Sequence, residues 1–264
     1  MKRTGIIDID DWRILCYSAA RLPQVFENFR SNRLYLDVVE GVSPELGAQY
    51  LDMIFNGYSF QIRDEMWPIL LKSDSVGNPP LYDYQTTEGG IIHCSAATLR
   101  YIKVFFDIIS LFDIDKIHTV AEIGIGYGGQ CRVAMNILPT LRYKLIDLPE
   151  VLLLAERFLT TLDQKGDIRY IDGTHLYDAV PCDLVISNYA FAELTKETQR
   201  FYLEKVIANS SAGYMTWNRS ELVRGGWNDG YEVEDILSMI PNSRAIPEVP
   251  PAFYDDCIIV WGTK

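Results

Sequence analysis

Apolar and polar positions divide the chain into a helical first quarter and, later, short apolar runs alternating with amphipathic stretches. Trp12, Leu15, Cys16, Ala19 and Leu22 recur at helical spacing and predict one apolar face before Pro23 interrupts it. Ser43-Pro44-Glu45-Leu46 opens a second helix, with Ser43 as cap and proline in the first turn; Leu46, Tyr50, Met53, Ile54 and Phe60 should face inward. The aromatic positions from 50 to 67 suit a helical core, a cover over a substrate site or a dimer contact. Residues 74–80 form a turn cluster, 81–84 a short strand or extended arm, and 89–94 a lead-in to Ser95. Ser95 then caps a helix running to about Phe112, with Leu99, Ile102, Phe105, Phe106 and Ile109 on its buried side.

From residue 120 the period changes. Val120-Ala121-Glu122-Ile123 runs into Gly124, Gly126, Gly128 and Gly129, and a helix-forming stretch follows over 131–138: strand, tight turn, helix. Glycines there let backbone N–H groups approach a ligand and permit dihedrals that a Cβ forbids. Residues 143–147 read as a second strand ending in Asp147, before a helix begun by Pro149. A third strand over 168–171 ends at Asp172-Gly173-Thr174-His175. A fourth, over 182–187, is left by Asn188, Tyr189 and Glu193, where an open parallel sheet presents its site. A helix over 196–208, a fifth strand over 212–217 followed by Asn218 and Arg219, a helix over 232–240 and a closing hairpin near 243–246 and 256–261 complete the pattern. Neither an internal repeat nor a linker long enough to separate domains is visible.

Composition narrows the function. Over 264 residues, 48% hydrophobic and 12% aromatic content excludes a disordered chain. The net charge of −12 argues against binding a nucleic-acid backbone, which needs a basic surface. Five dispersed cysteines without a C-x-x-C pair suit a reducing compartment, and no apolar stretch approaches the ~18 residues of a membrane span, so a cytoplasmic protein is expected. His/Cys spacing of the zinc type is absent, and Asp172 with Glu193 does not establish a magnesium site; no metal is expected.

Gly124, Gly126 and Gly129 fit G-x-G-x-x-G, a pattern shared with dinucleotide enzymes. Two acids tilt the reading. Glu122, at the end of the first strand, can accept from the amino group of an amino-acid-like ligand, and Asp147 is placed to accept from ribose hydroxyls. That combination suits S-adenosylmethionine, which carries a cationic amino acid and a ribose but no pyrophosphate. Glu122-Ile-Gly124-Ile-Gly126-Tyr-Gly128 resembles motif I of class I methyltransferases, and Asp147-Leu148-Pro149-Glu150-Val151 resembles the D-L-P-x-V segment of small-molecule O-methyltransferases. With Ser95-Ala-Ala-Thr98-Leu99-Arg100-Tyr101 and the segment from Ser187 to Leu194, the chain is similar to the sugar O-methyltransferases of bacterial surface-polysaccharide loci.

The resemblance implies an α/β class I methyltransferase (Rossmann-like) fold: a seven-stranded mostly parallel sheet with an N-terminal helical extension. It divides the chain into an extension or cap over 1–94 and an S-adenosylmethionine-binding domain over 95–264. Glu122, Gly124, Gly126, Tyr127, Gly128, Asp147, Leu148, Asp172, Gly173 and Asn188 would hold the cofactor, Asp172 by contact with the adenine amino group. The acceptor would be a sugar or sugar-like small molecule, nucleotide-linked or phosphorylated, with a phenolic, natural-product or phosphoramidate acceptor as the alternative. A base would help a sugar hydroxyl attack. Glu193 ranks first, His93 second, and Tyr189 and His175 remain; His175 suits cofactor or substrate shape better, and His118 a structural role. Asn218 and Arg219 are candidates for an anionic group on the acceptor, as are Arg100 and Arg132. A homodimer through the N-terminal helices is a further expectation. An NAD(P)-dependent oxidoreductase and a non-catalytic S-adenosylmethionine-binding scaffold are the competing readings.

Overall fold

β-Branched and aromatic runs of four to eight residues supply nine strands in the computed structural model, which describes residues 8–87, 89–218, 229–252 and 256–264. Contacts divide the chain into two units. One takes the chain up to Ser110 with Gly126–Pro139 and Leu153–Lys165; the other takes Leu111–Ile125, Thr140–Leu152 and everything from Gly166 on.

The second unit holds the large sheet. Strands β3 (Thr119–Ile123), β4 (Arg142–Asp147), β5 (Asp167–Asp172), β6 (Cys182–Asn188) and β7 (Ser210–Trp217) pair in parallel, while β8 (Arg244–Pro247) and β9 (Cys257–Trp261) close the far side antiparallel. The order is β5-β4-β3-β6-β7-β9-β8, the expected seven-stranded mostly parallel sheet. β3 is buried at all five positions, as a central parallel strand requires. Ala121, Ile123, Ile146, Val185, Met215, Trp217 and Ile259 join one apolar core with Tyr202, Val206 and Ile236. Gly213 is needed in β7 because a Cβ there would stand 2.0 Å from the Trp261 ring. The strand order reverses between β3 and β6, and open parallel sheets bind ligands beyond the carboxyl ends of the strands at such a point.

The first unit is mainly helical. α1 (Ile9–Arg21) is capped by Asp8 and buries Trp12, Cys16 and Ala19. Leu22, expected on that face, ends the helix in extended backbone and is 44% exposed. α2 (Pro44–Asn56) starts as read, with Ser43 Oγ accepting from Leu46 N at 3.2 Å. Between them the helical pattern is broken into short turns, among them a π-helical turn at Leu36–Glu40. β1 (Tyr82–Gln85) pairs with β2 (Ile91–Cys94), so the stretch read as a lead-in to Ser95 is a hairpin strand. α3 (Ala96–Leu111) begins where Ser95 Oγ accepts from Thr98 N at 3.1 Å, and α4 (Gly129–Ile137) follows the glycine turn.

A buried ionic network holds this unit. Arg30 is fully buried; its Nε meets Glu40 Oε1 at 2.6 Å and its Nη2 meets Asp74 Oδ1 at 3.1 Å and Ser95 Oγ at 3.1 Å. Burial alone would lower the guanidinium pKa, yet Glu40 and Asp74 hold it well above its ordinary value. Asp74 in turn accepts from Ser95 N at 2.8 Å and Thr98 Oγ1 at 2.8 Å.

All five cysteines are buried thiols outside any disulfide, and burial pushes the Cys182 thiol up to about 12. No helix among the described residues is long and apolar enough to cross a membrane.

Candidate active site

At the carboxyl end of β3 the chain turns sharply. Gly124 has φ +75°, and a Cβ on it would lie 2.0 Å from the Ala190 Cβ, so a side chain is excluded on both counts. Ser187, fully buried in β6, ties the two strand ends together: its hydroxyl donates to Ile123 O at 2.9 Å and accepts from Phe191 N at 3.1 Å.

Asp147 closes β4 against the same turn. Its Oδ2 accepts from Ile125 N at 2.7 Å, its Oδ1 from Leu148 N at 2.7 Å, and its backbone carbonyl from Gly173 N at 2.9 Å. A carboxylate oxygen has lone-pair capacity beyond one such bond, so Asp147 can still accept from ligand hydroxyls. Glu122 is 1% exposed, and its Oε2 accepts from Tyr143 Oη at 2.9 Å. Burial, offset in part by that hydrogen bond and reinforced by the charge of Asp147, pushes its carboxyl up to about 8. A buried acid at neutral pH is set to ionise when a cation arrives beside it.

Asp172 ends β5 beside Asp147 in register. Burial would raise its pKa, but bonds from Thr174 and the neighbouring His175 hold it below the usual carboxylate range. His175 Nδ1 lies 3.3 Å from Asp172 Oδ2, within this local turn. Gly173 leaves no room for a side chain, since a Cβ would meet Tyr202 Oη at 2.3 Å. Asn188 closes β6, with its Oδ1 3.4 Å from Thr216 Oγ1.

Tyr189 is the strained residue of this edge. Its φ is +66° and ψ −30°, a conformation uncommon for a bulky L-residue and concentrated at functional sites. Its hydroxyl donates to Glu248 Oε1 at 2.5 Å, while Glu248 Oε2 accepts from Ala252 N at 3.1 Å. Glu248 is 5% exposed and follows β8 directly, at the same edge of the sheet as Asn188. Sequence reading passed over Glu248; its one signal was an acid between Pro247 and Pro250 after a strand. Glu193 is exposed at the end of the short turn Ala190–Glu193. Asn218 is buried after β7, and Arg219 lies outside the described residues.

In the first unit, Gly126 and Gly128 continue the turn with φ +54° and +85°, and Gly128 precedes α4. The Tyr127 side chain is fully buried, with Phe158 4.7 Å and Tyr101 5.9 Å away and the Arg30 guanidinium 4.6 Å over its ring. Only its backbone therefore remains for a ligand. His93 sits on β2, its Nδ1 2.7 Å from Asp83 Oδ1 across the hairpin, and both are exposed. Arg100 donates to Val39 O at 3.0 Å, and Arg132 to Gln164 Oε1 at 3.0 Å and Ile69 O at 2.9 Å.

Comparison with curated proteins finds no match. Among solved structures, the mitomycin 7-O-methyltransferase MmcR is 16% identical, with a TM-score of 0.46 over 62% of this chain and 54% of that one. An O-methyltransferase family protein from Burkholderia thailandensis is 12% identical, with a TM-score of 0.48 over 62% and 56%. The human N-acetylserotonin methyltransferase in complex with S-adenosylmethionine is 14% identical, with a TM-score of 0.45 over 58% and 49%. The chain spans about half the length of these structures. The model of the O-methyltransferase domain family matches residues 82–213, which include the glycine turn, Glu122, Asp147, Asp172 and Tyr189. The chain belongs to the O-methyltransferase domain family.

Proposed function

We propose that this protein transfers a methyl group from S-adenosylmethionine to a hydroxyl oxygen of a sugar-like small molecule. The observation that carries the reading is the glycine turn between two acids: Gly124 can bear no side chain, Glu122 is buried beneath it, and Asp147 braces it. A buried carboxylate takes an ammonium group, the turn admits a ligand to its backbone, and Asp147 accepts from ribose hydroxyls. Asp172 would meet the adenine amino group, with Leu148, Gly173 and Asn188 shaping the remainder. Bound there, the cofactor supplies a methyl group already activated on a sulfonium. The protein has then to align the acceptor and take its proton.

Tyr189 is the residue we assign to the proton. As it accepts the acceptor's hydroxyl proton, its own passes to Glu248 Oε1, so no charge is left on the phenol. Glu193 and His93 remain in the test as rival bases. The sugar-like acceptor rests on the segments from Ser95 to Tyr101 and from Ser187 to Leu194, and residues 1–94 are assigned to an N-terminal helical extension or cap.

S-adenosylhomocysteine is expected to raise the melting temperature, as a ligand of the folded state must, and NAD is not. A shift with NAD alone would move the reading to an oxidoreductase. Calorimetry carries a second expectation. The unliganded protein holds Glu122 protonated below about 8, whereas the ligand's ammonium favours the ionised form. Binding then releases a proton, and affinity rises with pH between about 6 and 8. Glu122→Gln should flatten that dependence and weaken binding. A wild-type affinity independent of pH over this window would detach Glu122 from the amino group.

A further inference from the structure

Tyr35, Tyr84 and Tyr127 each bury a hydroxyl with no hydrogen-bond partner among the described residues. Such groups are rare in folded proteins, and each calls for an explanation. Tyr35 differs from the other two in where its hydroxyl points. It lies 3.9 Å from the position a Cβ on Gly126 would take, and Val39 Cγ1 lies 3.4 Å from the same point. Tyr35 ends the short helix Arg33–Tyr35, and Val39 belongs to the π-helical turn Leu36–Glu40 that follows. Turns of this kind are rare and recur at functional sites.

The surroundings fix this turn firmly. Tyr35 is fully buried, its ring stacked on Trp12 at 5.1 Å and met edge-on by Phe29 at 4.9 Å. Arg100 holds the Val39 carbonyl, and Arg30 holds the Glu40 carboxylate. The hydroxyl is thus held beside Gly126, with no acceptor for its proton among the described residues.

We propose that Tyr35 binds the methyl donor, its hydroxyl donating to the carboxylate of the amino-acid end held at Gly126. A phenol O–H and the turn's backbone N–H groups are all donors, so an anionic oxygen is the complement they fit. The proposal rests on the glycine turn being the S-adenosylmethionine site.

Calorimetric titration with S-adenosylhomocysteine on wild type, Tyr35→Phe and Tyr84→Phe, with melting of each unliganded protein, tests it. Tyr35→Phe is expected to bind about 10- to 100-fold more weakly, while its unliganded melting temperature stays level or rises, because the deleted hydroxyl had no partner. Tyr84→Phe, which removes a buried hydroxyl that lies against Gly47, should bind as wild type does. Equal affinity in Tyr35→Phe overturns the proposal while leaving the cofactor assignment standing. A fall in the unliganded melting temperature of Tyr35→Phe also overturns it, since the hydroxyl would then serve the fold. Failure of wild type to bind overturns the cofactor assignment itself, and this proposal with it.

Discussion

Arg30→Met is expected to lower the unfolding free energy by about 3–5 kcal/mol, read as a shifted urea midpoint at unchanged slope. The loss does not measure the value of the ion pairs. It arises because Glu40 and Asp74 would stay buried with their cation gone, and an unpaired buried charge is far more costly than a paired one is favourable. Arg30→Met combined with Glu40→Met should therefore be more stable than Arg30→Met alone, and should cost less than the two single substitutions summed, by a coupling of about 0.5–3 kcal/mol. Asp74 tolerates the change better, since Ser95 and Thr98 still donate to it. A double variant no more stable than the single one would mean that Glu40 is satisfied without Arg30.

Tyr189→Phe is expected to reduce turnover by about 10²–10⁴-fold, with S-adenosylhomocysteine affinity nearly unchanged. The assay is release of S-adenosylhomocysteine in the presence of an acceptor found by screening sugar-like hydroxyl compounds, with mass detection of the methylated product. Glu248→Gln removes the proton's destination but keeps the shape, and its loss should be largest at neutral pH. It should shrink toward the range where a phenol ionises unaided, about pH 10. A merely structural role for Glu248 would not reshape the pH profile. Full turnover in both variants, with loss in Glu193→Ala or His93→Ala, would hand the proton to that residue instead.

Much of the sheet was legible because each strand carries a local signature. β3 is a short apolar run stopped by glycine, and Ser43 and Ser95 announce their helices by hydroxyls that the backbone does use. β2 was not legible: Ile91-Ile92-His93-Cys94 is a strand because β1 pairs with it, and its own pattern is too short to say so. The π-helical turn at Leu36–Glu40 escaped for a related reason. Leu36 and Val39 keep helical spacing, and the irregularity is set by Arg100 and Arg30 from elsewhere in the chain. Tyr127 shows the converse limit. Its place in the glycine motif suggested a ligand contact, whereas its ring fills the apolar space beside Phe158. Motifs report backbone requirements well, but they do not report where a side chain inside them points.

The buried thiols have a practical consequence. A thiol reagent cannot reach Cys16, Cys94, Cys131, Cys182 or Cys257 in the native state, and burial raises the Cys94 and Cys182 thiols further from the reactive thiolate form. Labelling must wait for the chain to open around each sulfur, so its rate reports the local opening equilibrium. Cys16, Cys94 and Cys131 belong to the mainly helical unit, and Cys182 and Cys257 to strands of the large sheet. Peptide mapping after timed alkylation thus follows the two units separately in one sample, without any engineered probe. Repeated with S-adenosylhomocysteine present, it reads which sulfurs a bound ligand shields from opening.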